Sequence, residues 1–208
     1  MPKDGAAVGV SDHGGWAVLV TAARDGALLD RRRIELIDDD LPALPHHHEG
    51  QLLPMEDAVA LVERVRASAE RHATFALDAL DAEVPHIAAI ALRRLQPLPP
   101  TIAERIRDHR ARNVADWVMY RSALAGAAEA RGWRVHWYDS KSVFGEASRA
   151  LHCDFGEYFA SFRRTLGAPW NADHKLALAA AVVAAPASVP SPHPGAVRPA
   201  ASTRPRSV

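Results

Sequence analysis

Three short runs of strand-forming residues open the chain, hinged by glycine turns, and they constrain the fold more than anything that follows. Val8-Gly9-Val10-Ser11-Asp12-His13 meets Gly14-Gly15 and continues as Trp16 to Thr21. Arg24-Asp25-Gly26 then turns the chain into a third run, Leu28 to Ile37. Strands joined by such tight turns pair as an antiparallel meander. A ribbon of this kind must cover its apolar face with further elements. Asp12 stands at the joint of the first two runs, the rim position where several nucleotide- and metal-handling folds carry a key acid.

The rest of the chain supplies the cover. A proline-bearing loop, Asp38 to Leu53, contains His46-His47-His48-Glu49. Pro54 then opens a helix in which Val59, Leu61, Val62, Val65 and Ala69 keep helical spacing, with Arg71-His72 closing it. Thr74 to Glu83 reads either as an extension or as a second short helix. His86 to Leu92 suits a buried strand. Thr101 and Glu104 form a capping-box start, predicting one long helix to about Arg131, ended by Gly132. Trp133, Val135 and Trp137 alternate, as on a strand, with Asp139 at its carboxyl end. A helix near Ser142–Leu151 comes next. Phe155, Tyr158, Phe159, Phe162 and Leu166 then line one face of an amphipathic helix. Asn171 caps a last, alanine-rich helix from Ala172 to about Ala185.

A length of 208 residues, 48% of them apolar, suits one domain with a core. The domain is expected over residues 1–185. Residues 186–208 hold six of the fifteen prolines and few large apolar groups, so this stretch reads as a disordered Pro/Ala/Arg tail. The chain has 25 basic and 25 acidic residues, and the only charges beyond Pro186 are Arg198, Arg204 and Arg206. The domain therefore carries an excess of acid, and any nucleic-acid binding needs a local basic patch. Cys153 is the only cysteine, which excludes an intramolecular disulfide and a cysteine-rich zinc site. No segment approaches the roughly 20 apolar residues of a membrane span. The default expectation is a soluble cytoplasmic protein without a membrane partner.

The order β-β-β-α-β-α-β-α resembles the ribonuclease H-like fold, an α/β architecture. It implies a five-stranded mixed sheet, a three-stranded antiparallel meander plus two parallel strands, with helices on both faces. Within it the chain is similar to the Holliday-junction resolvase (RuvC) family. Gly9-Val-Ser-Asp12 fits the first strand with its acid, and Trp133 to Leu151 fits a late strand and helix. Leu166-Gly-Ala-Pro-Trp-Asn-Ala-Asp173-His174-Lys-Leu176 fits the turn into the final helix. The resemblance implies a nuclease acting on nucleic acid with Mg²⁺ or Mn²⁺, and allows a homodimer. The chain also departs from that pattern. The resolvases carry their first acid two residues after the strand glycine, whereas Asp12 lies three after Gly9. Ala91-Leu92-Arg93-Arg94 offers no acid at the end of the fourth strand, and Leu176 stands where the last helix has its second acid.

Phosphodiester hydrolysis on this fold uses two metal ions about 4 Å apart, and Mg²⁺ requires several converging oxygen ligands. Asp12, Asp139 and Asp173 are the expected metal ligands, with His174 or His13 as a proton shuttle. Each acid also has a plain structural role. Asp12 suits a turn, Asp173 favours a helix N-terminus, and Asp139 can cap the helix that follows it. Of the three consecutive histidines, only His46 and His48 can face one ion, and a packed or solvated loop that could act as a lid is the simpler reading. On the long helix, Trp117, Tyr120 and Leu124 face the core. Asn113 and Asp116 mark the polar edge, and Arg110, Arg112 and Arg121 a basic side suited to a nucleic-acid backbone. The sequence thus predicts either a metal-dependent nuclease or a non-catalytic relative that serves as a binding or interaction module.

Overall fold

The computed structural model describes residues 5–166 and 169–185. Strands β1 (Ala6–Asp12), β2 (Trp16–Ala22) and β3 (Leu28–Glu35) form the meander. Strands β4 (Ile87–Arg93) and β5 (Arg134–Tyr138) pair in parallel on its other side. The sheet runs β3-β2-β1-β4-β5, antiparallel within the meander and parallel beyond it. The carboxyl ends of β1, β4 and β5 share one rim. With helices on both faces, this mixed sheet is the ribonuclease H-like architecture. The expected tail at 186–208 lies outside the described residues.

Two differences from the sequence reading have clear causes. Helix α1 runs unbroken from Met55 to Glu83, because Ala69, Ala73, Leu77 and Leu80 continue the buried stripe past Arg71-His72. The helix expected over 101–131 is instead two: α2 (Ile102–Arg107) and α3 (His109–Glu129). Asp108 divides them. Its backbone is extended (φ −81°, ψ 118°), and its carboxylate accepts from the Arg110 and Ala111 amides as the N-cap of α3. The Thr101–Glu104 capping box forms at the start of α2, and Asn171 caps the last helix.

Strand alternation divides the core in two. Val8, Val10, Leu19 and Leu36 face α1 and α3, packing with Leu61, Val65, Leu77 and Leu124. Ala7, Val18, Val20, Ala89 and Ala91 face the other way, toward α4 (Val143–Leu151), α5 (Phe155–Leu166) and α6 (Ala172–Ala184). This second layer is built of small residues, so α6 lies close on β1. A Cβ on Gly9 would stand 1.8 Å from the Ala177 carbonyl oxygen. Gly9 is what lets the helix seat there, and that seating positions the first turn of α6 beside the end of β1. Small Ala89 and Ala91 likewise let Tyr138 reach across the sheet and donate to the Val10 carbonyl (2.8 Å). Burial pushes that phenol up to about 12.

Candidate functional site

The rim is organised by two adjacent residues of β1 that point in opposite directions. Asp12 shares the parity of Val8 and Val10 and faces α3. Ser11 shares the parity of Ala7 and Gly9 and faces α6. Each finds a partner on its own side of the sheet.

On the α3 side, the Arg121 Nε donates to Asp12 Oδ2 at 2.8 Å, with the two side chains only 4% and 1% exposed. A second guanidinium nitrogen lies 3.5 Å from the Arg94 carbonyl oxygen. Arg121 therefore does not extend a solvated basic face. It lies among the buried residues of α3, one turn from Leu124, while Trp117, expected in the core, is only half-buried. Asp12 Oδ1 is buried and has no hydrogen-bond partner among the described residues.

On the α6 side, Asp173 sits in the first turn of its helix. Its Oδ1 accepts from the Ser11 hydroxyl at 2.9 Å and lies 2.8 Å from His13 Nε2. Burial pushes the Asp173 carboxyl up, but the bonds from His13 and Ser11 outweigh it and hold the group below the usual carboxylate range. The His13 ring stacks on Trp16 (3.9 Å between centroids, 5° between planes), and the Arg33 guanidinium lies 3.9 Å from the Trp16 ring centroid. Unlike the Asp12 pair, this cluster is open to solvent, His13 being 38% and Asp173 24% exposed.

The other expected site residues make their side-chain hydrogen bonds elsewhere. Asp139 is exposed and accepts from the Lys141 amide at 2.8 Å, starting the turn into α4. His174 Nδ1 lies 2.7 Å from the Asn171 side-chain oxygen, within the cap of α6. Burial, and then the nearby Arg31 charge, hold this imidazole below its usual pKa. Among the described residues, no three His, Cys, Asp or Glu side chains gather in a way that could hold a metal ion. Asp12 and Asp173 are turned to opposite faces, and a guanidinium already sits on Asp12. A hard divalent ion wants several converging oxygens, and the guanidinium on Asp12 repels a second cation. The residues present do not fit the expected Mg²⁺ or Mn²⁺.

A further buried pair escaped the sequence reading. Asp116 is not at the polar edge of its helix but fully buried. Its carboxylate accepts from the His46 and His47 amides (3.0 and 3.1 Å) and lies 2.7 Å from His46 Nδ1. Tyr120 adds a hydroxyl donation to the Ala43 carbonyl at 2.8 Å. These bonds tie the loop to α3. The signal in the sequence is that Asp116 and Arg121 each stand next to an aromatic residue of α3, Trp117 and Tyr120.

No family model matches the chain, and no curated protein matches it. Among solved structures it is similar to RuvC of Thermus thermophilus in complex with a Holliday junction substrate. That likeness has 16% identity and a TM-score of 0.46, covering 86% of this chain and 91% of the other. A second Thermus thermophilus RuvC structure matches at 16% identity and a TM-score of 0.44, covering 86% and 92%. The sheet order and strand directions described above carry the fold assignment on their own.

Proposed function

We propose that this chain is a ribonuclease H-like binding module that engages nucleic acid at the carboxyl-end rim and does not hydrolyse it. The observation behind this reading is the buried Asp12–Arg121 pair, which commits the only carboxylate at the end of β1 to a guanidinium. Support for nucleic acid comes from the groups around that pair. Arg94 and Lys141 are exposed at the ends of β4 and β5, and Arg107 and Arg110 are exposed where α2 meets α3. They are exposed cations on a domain with a slight excess of acid, the groups that phosphate contacts need.

Binding is measured by fluorescence anisotropy on a four-way junction, a duplex and a single strand at 50 and 200 mM salt. Affinity should fall with salt, and Arg94→Glu with Arg110→Glu should lower it at least tenfold. No incision should appear with Mg²⁺ or Mn²⁺ on any of the three. Incision that Asp12→Asn abolishes would return the protein to the nucleases. Absence of binding to all three would make the rim a protein-binding surface.

A further inference from the structure

The 30-residue segment from Ile34 to Glu63 contains eight acids and no lysine or arginine. In the fold this segment builds a shallow apolar groove of about 580 Å³. Leu41, Pro42, Leu52, Leu53 and Leu61 form its apolar wall, and Asp39, Asp40 and Glu49 stand around it. Leu52 is 85% exposed and Leu53 41%. With Leu41 and Pro42 beside them, these adjacent leucines give the groove an apolar surface that a docked segment would cover. Asp38, at the edge, is already answered by Arg71 and His72. Asp39 and Asp40 have no ion pair among the described residues, so the groove keeps an unanswered negative rim.

The chain itself carries a complementary segment. Residues 186–208 contain Arg198, Arg204 and Arg206, no acid, and Val197 and Val208 close to the arginines. Their six prolines reduce the conformational entropy that docking removes. At about 3.3 Å per residue, a segment of this length reaches roughly 75 Å. A domain of this size has a radius of gyration of about 16 Å, so every part of its surface is within reach. We propose that residues 186–208 dock in the acid-rimmed leucine groove of residues 39–61, their arginines on Asp39, Asp40 and Glu49 and their valines over Leu52 and Leu53. The effective concentration of a tethered segment favours this occupant over a separate molecule of equal charge.

The full chain tests this directly. A nitroxide is attached at Ser207→Cys in a Cys153→Ser background, with the leucine methyl groups isotopically labelled. The Leu52 and Leu53 methyl signals should lose more than half their intensity, while leucines far from the groove keep theirs. Asp39→Lys with Asp40→Lys should restore the signals, and so should 0.5 M salt. Full intensity at Leu52 and Leu53 in the parent chain overturns the proposal. A mixture of spin-labelled, isotope-free protein with isotope-labelled, spin-free protein completes the test. Broadening in that mixture would assign the groove to a second copy and overturn it equally.

Discussion

Ser11 and Asp12 are neighbours on one strand, yet they serve two regions with opposite physics. Asp12 is sealed under α3 in an ion pair that water does not reach. Ser11 joins a half-open cluster with Asp173, His13 and Trp16 under the N-terminus of α6. The sealed side is a structural lock, whose charges are satisfied by each other and by little else. The open side keeps polar groups exposed to solvent. One residue of offset along a strand exchanges these roles, because successive side chains leave a sheet on opposite faces.

The sharpest way to break the contrast is at the lock. Arg121→Ala leaves Asp12 as an uncompensated buried charge and should cost about 3–5 kcal/mol in urea denaturation. The double variant Asp12→Leu with Arg121→Met should recover most of that loss, since a well-packed apolar pair often equals a buried ion pair. A double as unstable as Arg121→Ala would mean that packing around the site, and not its charge, sets the cost. On the open side, Gly9→Ala drives a methyl into the Ala177 carbonyl and should cost about 2–3 kcal/mol. It should also shift the Ser11, His13 and Asp173 signals in NMR while leaving Arg121 unmoved. Shifts on both faces would show that the two regions are not independent.

Ser11→Asp asks whether the open side lacks only an acid. It sets a second carboxylate against Asp173, and like charges so placed disfavour joint ionisation. The expected loss is about 1–3 kcal/mol at pH 7. Millimolar Mn²⁺ should raise the Tm of this variant and leave the parent unchanged; equal Tm shifts in both would remove the offset as the reason for poor metal fit. The smallest effect is the pH dependence of Asp173. Its folded pKa lies below the unfolded value of about 3.9. The unfolded chain therefore binds more protons in that window, and stability rises with pH across it. The contribution is whole above about pH 4 and is lost as pH falls through the folded pKa. Asp173→Asn should flatten urea midpoints between pH 5 and pH 2.5 relative to the parent. An unchanged slope would place the dependence on other carboxylates.

Much of the scaffold was legible from local chemistry. The glycine turns at 14–15 and 25–26, the Thr101–Glu104 box and the Asn171 cap each act within a few residues, and each forms as read. The misread stretches were those where a local rule met a competitor. Asp108 looked like any helical acid until its capping geometry split the helix. Thr74 to Glu83 was ambiguous because the stripe that decides it is satisfied only by the sheet. The site was less legible still. Asp12, Asp139, Asp173 and His174 were singled out for their positions in sequence, but which of them meet depends on contacts 109 and 162 residues apart.

The sequence by itself determined the meander, the two parallel strands and the helices that cover them, because turn chemistry, capping and periodicity are short-range. It also determined that the first strand ends in a serine and an aspartate pointing opposite ways. Only the tertiary structure decided that Arg121 lies under one and Asp173 under the other. That choice follows from how closely α6 seats on Gly9 and from which face of α3 meets the sheet. Such distances between elements are set by packing of the whole core, and no local spacing along the chain encodes them.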